Sequence, residues 1–324
     1  MTVKNKVLNI LESKKGKYIS GQDLADLLMV SRTAVWKAIN SLKDEGYPIS
    51  SVPNKGYILS PDSDILSSEG IRLYLKEEFK NIPITFYKSI ESTNSEAKLA
   101  AVKKARHGTV IVAEEQTKGR GRFGRNFFSP PESGIYMSII LKPNLKIENS
   151  VLITTAAAVA VCQAIEKLTN KEPKIKWVND IFIDNRKVCG ILTEAVTDFE
   201  SGMMDSVIVG IGVNVKTEKE IFPQELQDTA GSVLNDKDSS LRNPLAGEII
   251  NNLLTISEKL EDREFLKEYK ERSMILNEHI LYKKDNSWHE GYALDIDDYG
   301  GLVIFTSEGE QTTLNSGEVS IKKK

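Results

Sequence analysis

The sequence predicts an α+β protein in three parts: an N-terminal winged helix-turn-helix, a central mixed α/β body and a C-terminal small all-β domain. Three observations carry this. Two short helical runs of apolar residues give way before Ser60 to a strand–turn–strand pattern. Strand-like and helix-like segments then alternate through the middle of the chain. From Ile280 onward only short strands remain, broken at Asp297-Asp298 through Gly301 and at Glu308-Gly309.

In the first part, Val3, Val7, Leu8, Ile10 and Leu11 fall on one helical face. Ser20 is an N-cap with Asp23 three residues on, ahead of Leu24, Leu27 and Leu28. After a break at Met29-Val30, Ser31 caps a second run that turns Ala34, Val35, Ala38, Ile39 and Leu42 inward. Two short helices with a tight turn have helix-turn-helix dimensions. Ile49–Val52 and Gly56–Leu59 flank Pro53-Asn54-Lys55 and predict a hairpin wing. Ser60-Pro61-Asp62-Ser63-Asp64 is polar and suits a linker.

In the body, Thr85–Tyr87, Thr109–Ala113 and Ile135–Leu141 predict strands, and Glu91–Lys104 and the Ala-rich Val151–Leu168 predict helices. Lys174–Ile183 and Lys187–Ala195 predict two arms of a hairpin about Asp184-Asn185-Arg186. Ser206–Val215 is almost continuously apolar, as a central strand should be, and Leu245–Arg272 predicts one long amphipathic helix.

Composition narrows the function. The chain has 324 residues, 40% hydrophobic and 27% charged, which excludes collagen-like and disordered classes. A net charge of −3 is too balanced for a binder of bulk nucleic acid. The charge is uneven, however: the first sixty residues hold nine Lys/Arg against five Asp/Glu, so a polyanion partner is expected for that module alone. Cys162 and Cys189 are too few for a disulfide framework, and His107, His279 and His289 are scattered, so no metal site is expected. No signal peptide is apparent, and the apolar stretches TTAAAVAVCQAI and SVIVGIGVNV fall short of a membrane span. The expectation is a cytoplasmic protein that touches no membrane.

Five segments are candidates for chemistry. Gly119, Gly121 and Gly124 satisfy G-x-G-x-x-G, but Pro130-Pro131 forbids the helix a dinucleotide fold needs, and a Walker loop lacks its Gly-Lys-Ser/Thr. What remains is a loop with the guanidiniums of Arg120, Arg122 and Arg125, able to close over phosphate and carboxylate or to lie solvated on the surface. In Lys176-Trp177-Val178-Asn179-Asp180 and Arg186-Lys187-Val188-Cys189-Gly190-Ile191-Leu192, a lysine near a glycine on a buried hairpin is costly unless it meets an anion. On local grounds Ser92-Thr93-Asn94 reads as an ordinary helix N-cap. Gly210-Ile211-Gly212-Val213-Asn214 suggests close ligand approach or a bulge. With no triad or zinc motif, chemistry would run on Lys/Arg electrostatics with a substrate-supplied nucleophile, the form of an adenylation.

Glu91-Ser92-Thr93-Asn94, Glu115-Gln116-Thr117-Lys118-Gly119-Arg120-Gly121-Arg122, and the three later segments in that order resemble the catalytic domain of the biotin protein ligases. Ser20–Leu59, with Trp36 and Val52-Pro53-Asn54-Lys55-Gly56-Tyr57, looks like the winged helix of that family's bifunctional members, which also repress the biotin operon. The resemblance implies a winged-helix DNA-binding domain over 1–62, a ligase domain over 63–274 and an SH3-like β-barrel over 275–324. It implies that biotin and Mg-ATP give biotinyl-5′-AMP, and that the biotinyl group passes to a lysine of a biotin carboxyl carrier domain. Carried over residue by residue, Lys187 and Arg122 are catalytic. Ser92, Thr93, Asn94, Gln116, Gly119, Arg120, Gly121, Arg122, Lys187 and Gly190 line the biotin and adenylate site, and Asn179, Asp180 and Asn214 meet the nucleotide. Ser31, Arg32, Thr33, Lys37 and Lys55 would meet operator DNA, with a homodimer forming on adenylate binding and no resident metal. Thr217 to Val233 would cover the adenine, with Ile221, Phe222 and Leu226 as apolar covers. The chain departs from the family's usual pattern at Val178, where Pro is usual, and at Phe127, where Trp is usual. The alternatives are a lipoate-type ligase of the same fold and a DNA-binding regulator without catalysis.

Overall fold

The computed structural model describes residues 2–143, 150–197, 204–234, 240–284 and 287–321. Met1 and 322–324, the extreme ends of the two predicted terminal domains, lie outside the described residues. The chain forms two compact units, one of residues 1–81 with 236–248 and one of residues 82–235 with 249–324.

The first unit opens with α1 (Val3–Ser13), α2 (Gly21–Leu28) and α3 (Arg32–Asp44), followed by the hairpin β1 (Ile49–Val52) and β2 (Gly56–Leu59). The caps act as the sequence predicts. Ser20 Oγ accepts from Asp23 N–H at 3.0 Å and Ser31 Oγ from Ala34 N–H at 3.1 Å, and Met29 ends α2 in the left-handed region at φ 52°. Val7, Leu8, Leu11, Leu24, Val35, Ile39, Leu42 and Leu59 form its core. The polar stretch after β2 ends in fixed contacts. Asp64 takes the Nε–H of buried Arg242 at 3.1 Å, and Asn243 Oδ1 accepts from Ser67 N–H at 3.1 Å, just before α4 (Ser68–Arg72).

The second unit is built on β3 (Ile84–Tyr87), α5 (Thr93–Val102), β4 (Thr109–Ala113), β5 (Gly134–Leu141), α6 (Ser150–Leu168), β6 (Lys174–Lys176), β7 (Asp180–Ile183), β8 (Arg186–Thr197) and β9 (Met204–Asn214). The strands form one sheet in the order β3-β4-β5-β9-β8-β7-β6, parallel only between β3 and β4. β9 is central, as its apolar sequence requires. Val151–Leu168 of α6 proves long and apolar enough to cross a membrane, with mean hydropathy 1.6 over 18 residues, but 72% of it is buried in this unit as a core helix.

Two predicted elements are corrected. Lys174–Ile183 is not one hairpin arm: β6 and β7 pair antiparallel with each other about Trp177–Asn179. Tertiary contacts pin that turn, because buried Trp177 donates its Nε1–H to Gly300 O at 2.9 Å and Val178 O accepts from Tyr269 O–H at 3.2 Å. The Trp177–Val178 peptide, at the family's usual proline position, is cis. The predicted long helix is α7 (Arg242–Ser257) and α8 (Phe265–Arg272), separated by a 3₁₀ turn at Leu260–Asp262 and by Arg263 at φ 56°. No Gly or Pro breaks it; burial of Leu260 and Phe265 does.

The turn between β7 and β8 has Asp184 and Asn185 at φ 50° and 60°, as a two-residue hairpin demands. β10 (His279–Lys284), β11 (Ser287–Ile296), β12 (Leu302–Thr306), β13 (Gln311–Leu314) and β14 (Val319–Ile321) close the chain as an antiparallel sheet in the order β13-β12-β11-β10-β14. The outcome is the predicted α+β class.

Candidate functional site

Directly paired residues on neighbouring strands share a face of the sheet. The register therefore lays out two rows beneath α5: Ile111, Ser138, Gly210 and Leu192 in one, and Ala113, Tyr136, Gly212, Gly190 and Asp180 in the next. α5 packs on this face through Ala97 and Ala101 against Ile111, Ile140 and Ile208. The pairing is regular at Gly210 and Gly212, so the bulge reading is wrong there. Neighbouring side chains take the room the glycines leave. A Cβ on Gly210 would lie 2.1 Å from Asn94 Oδ1, and one on Gly212 would lie 2.5 Å from the Phe127 ring.

Asn94 and Phe127 look onto a cavity of about 1000 Å³. One end of it is neutral and hydrogen-bonded. The Thr93 N–H and O–H both donate to Gln116 Oε1, at 2.8 and 3.0 Å, and Gln116 Nε2 donates to Ser129 Oγ at 3.0 Å. Ser138 Oγ lies 2.8 Å from Thr93 Oγ1 and 2.6 Å from Asn94 Oδ1. Ser92 makes no capping bond. The local reading of Ser92-Thr93-Asn94 as an ordinary N-cap is therefore corrected: Gln116, from the loop after β4, serves the first turn of α5 and leaves these side chains on the cavity wall.

The other end is cationic. Lys187 Nζ lies 2.7 Å from Asp180 Oδ1, which is the anion its burial called for. Arg122 Nη1 donates to Asn179 Oδ1 at 3.0 Å, while its guanidinium lies 4.9 Å from the Phe123 ring centroid. Arg125 pairs with Glu318 from the end of the chain. Burial lowers the pKa values of Arg122 and Lys176, with the Asp180 carboxylate opposing the shift in both. Asn179 is held by Ile191 through its side-chain N–H to Ile191 O at 2.8 Å and its own carbonyl to Ile191 N–H at 3.0 Å. Cys162 and Cys189 are buried with thiol pKa values pushed up, so neither is a nucleophile.

The segment expected over the adenine runs along Lys187. Lys187 N–H donates to Thr229 O at 2.8 Å, Gly231 N–H to Lys187 O at 2.9 Å, and Asn214 Nδ2 to Gly231 O at 3.2 Å. Phe222 and Leu226 line the cavity, with Phe222 centred 6.1 Å from Phe128; Ile221 is exposed and does not line it.

Of the residues singled out for the ligand, all line this cavity except Gly119 and Ile221. Gly119 packs behind it, where a Cβ would lie 2.4 Å from Phe127 O and 2.7 Å from Ser129 Oγ. Sequence reasoning missed Ser138, Glu194, Phe128, Trp288 and Glu318. Ser138 and Glu194 had a signal, since each interrupts an apolar strand and a buried polar group needs a partner; Trp288 and Glu318 had none. Among the described residues no group of three or more His, Cys, Asp or Glu is placed to hold a metal ion.

In the first unit, Arg32, Thr33 and Lys37 are exposed on α3 beside Trp36, opposite the buried Val35, Ala38, Ile39 and Leu42. Ser31 caps that helix, and Lys55 stands at the wing turn, 5.5 Å from the Tyr18 ring centroid.

Comparison with known proteins agrees with this layout. Residues 86–214 match the biotin/lipoate A/B protein ligase family, residues 3–58 an HTH domain and residues 275–322 the biotin protein ligase C terminal domain. The chain is 36% identical over 316 residues to the bifunctional ligase/repressor BirA of Bacillus spizizenii, covering 95% of each. It is 35% identical to the same-named protein of Bacillus subtilis over the same share. The structure of biotin protein ligase from Aquifex aeolicus in complex with biotin and ATP matches with a TM-score of 0.60 and 28% identity, covering 75% of this chain and 99% of that one.

Proposed function

The chain belongs to the biotin protein ligase family, and from that premise we propose how its residues carry out ligation and repression. It activates biotin with ATP to biotinyl-5′-AMP, transfers biotin to a lysine of a carboxylase carrier domain, and acts as a DNA-binding repressor. The observation that carries the reading is one cavity with a neutral hydrogen-bonding end and a cationic end about two glycine-bearing strands.

Ser92, Thr93, Asn94 and Gln116 meet the uncharged ureido ring, whose N–H and C=O groups suit hydroxyl and amide partners. Gly190 and the loop Gly119–Arg122 bound the valerate and phosphates. A biotin carboxylate oxygen attacks the α-phosphorus of ATP, the bond to pyrophosphate breaks, and pyrophosphate leaves. Two anions must meet, so Lys187 and Arg122 stabilise the charge that develops. Lys187 leaves Asp180 to do so, and Asn179, Asp180 and Asn214 position the nucleotide, which brings its Mg²⁺ with it. The carrier lysine's amine then attacks the acyl carbon, loses a proton, and AMP departs.

The modules of this reading are 1–62, 63–274 and 275–324. Ser31, Arg32, Thr33, Lys37 and Lys55 meet the operator, and two copies on an adenylate-bound homodimer read a palindrome. A chain that uses ATP and binds DNA in this way works in the cytoplasm, off the membrane.

Biotin-dependent ATP–pyrophosphate exchange tests the catalytic reading, with lipoate in a parallel arm. Exchange with biotin is expected. Exchange with lipoate alone would make this a lipoate-type ligase, and none with either would make it a regulator without catalysis. Operator gel shifts at fixed salt test the switch: biotin plus ATP should tighten binding over either alone by about 5–150-fold, the usual 1–3 kcal/mol of coupling. Equal affinity would leave a ligase with a constitutive DNA-binding domain.

A further inference from the structure

Glu194 lies two residues beyond Leu192 on β8, on the face that looks toward α5. Its two carboxylate oxygens bridge positions i and i+4 of that helix. Oε2 accepts from Asn94 Nδ2 at 2.8 Å, and Oε1 takes Lys98 Nζ at 2.6 Å. Asn94 Nδ2 also donates to Leu192 O at 3.3 Å. An ionised carboxylate and a backbone carbonyl can only accept, so only the NH₂ side of the Asn94 amide can face them. The oxygen is thereby turned the other way, to within 2.6 Å of Ser138 Oγ and over Gly210 at the cavity wall. Gly210 matters to this placement because any side chain there would occupy the position of Asn94 Oδ1.

We propose that Glu194 is a positioning residue for biotin: it locks the Asn94 amide so that a ureido N–H meets an oxygen and never an NH₂. The inference rests on the assignment of Ser92–Asn94 to the ureido ring. Its physical content is that an amide is nearly symmetric in shape and opposite in polarity at its two ends. Without Glu194, Ser138 Oγ could accept as well as donate, and only the longer bond to Leu192 O, at 3.3 Å, would still oppose the flipped amide. A flipped amide would set a donor against the ureido donor and leave both unsatisfied, which costs more than the loss of one bond. Lys98 has a smaller part. It balances the charge of Glu194 and holds its other oxygen, in a pair that is partly exposed.

The test is steady-state adenylation by wild type and variants, with biotin and ATP each varied. Glu194→Ala should raise KM for biotin about 10- to 100-fold, the loss expected when a charged acceptor goes and its donor is freed. Its kcat and KM for ATP should stay near wild type, a split that a general loosening of the fold would not produce. Lys98→Met should raise KM for biotin only about threefold or less. Asn94→Asp should be as poor as Glu194→Ala, because two carboxylates then face each other. The double variant Asn94→Asp/Glu194→Gln should recover much of the loss, since the glutamine NH₂ can donate outward and the aspartate again offers oxygen to the cavity. An unchanged KM for biotin in folded Glu194→Ala would overturn the proposal, as would a double variant no better than Asn94→Asp. Were Glu194→Ala to lose its thermal transition, the double variant would decide alone. A wild-type chain inert with biotin would overturn the assignment of the ureido subsite as well, whereas wild-type activity with a flat variant series would overturn only the role of Glu194.

Discussion

At the Asn94 end of the cavity, hydroxyls and amides from α5, β5 and the loop after β4 hold one another in a chain from Ser129 through Gln116 and Thr93 to Ser138 and Asn94. At the Lys187 end, cations are held by carboxylates and a single amide: Lys187 by Asp180, Arg125 by Glu318, Arg122 by Asn179. The two ends differ in what an arriving ligand must undo. Neutral dipoles in a network can be aimed once and left, because their partners are other parts of the wall and the remaining lone pairs face the ligand. Clustered cations repel one another and their burial disfavours the charged form, so the pKa values of Arg122 and Lys176 are lowered. Asp180 and Glu318 supply the countercharge from within the protein. The neutral end is prepared in advance, whereas an anion arriving at the charged end would have to draw its cations from partners they already hold.

The largest expected effect breaks the charged end. Lys187→Ala should slow pyrophosphate exchange about 10²- to 10³-fold, the usual loss for one electrostatic donor at a developing charge. KM for biotin should change little in the folded variant. Near-normal turnover would mean that Lys187 does not stabilise the reacting anions.

Gly210→Ala attacks the neutral end. Its Cβ needs the place of Asn94 Oδ1, 2.1 Å away, so Asn94 must move. A displacement of that size should cost about 10- to 100-fold in kcat/KM for biotin, while KM for ATP, measured in the same titration, holds. Equal losses for both substrates would mean that the two ends are not separable.

Arg122→Gly should leave adenylate formation measurable and speed its release about tenfold, through loss of one charged hydrogen bond from the loop over the product. Rapid dilution of preformed adenylate measures this, and an unchanged off-rate would mean that Arg122 does not retain the product. The smallest effect sharpens the contrast without mutation. Raising salt from about 0.05 to about 0.5 M should raise KM for ATP about threefold more than KM for biotin, because screening weakens exposed charge pairs and hardly touches neutral hydrogen bonds. Parallel rises would argue against a division into charged and neutral ends.

Much of this was legible in the chain because it depended on local rules. Helix caps at Ser20 and Ser31, the break at Met29, and the Asp184-Asn185 turn are decided by a few adjacent residues, and each appears as expected. The central position of β9 followed from its apolar run. The loop Gly119–Arg125 drew notice through its glycine pattern and its three guanidiniums, and Lys187 because a charge on a buried strand is costly unless it meets an anion. The C-terminal residues Trp288 and Glu318 carried no such signal. They reach the cavity only because the last sheet brings β11 and the start of β14 to its wall.

By itself the sequence determined the class of the fold, the periodicity of its elements, the family, and which residues were candidates for the site, since these depend on spacing and polarity along the chain. Only the tertiary structure decided the rest. It broke Lys174–Ile183 at Trp177–Asn179 through bonds to Gly300 and Tyr269, and the predicted long helix at Arg263 through burial of Leu260 and Phe265. It moved the capping of α5 from Ser92 to Gln116, which takes the Thr93 N–H from 23 positions away. It also gave Glu194 its hold on Asn94, 100 positions away. The physical reason is the same in each case: a buried polar group or apolar side chain takes whichever partner the packing brings within reach, and packing joins residues by register across strands, which no local pattern encodes.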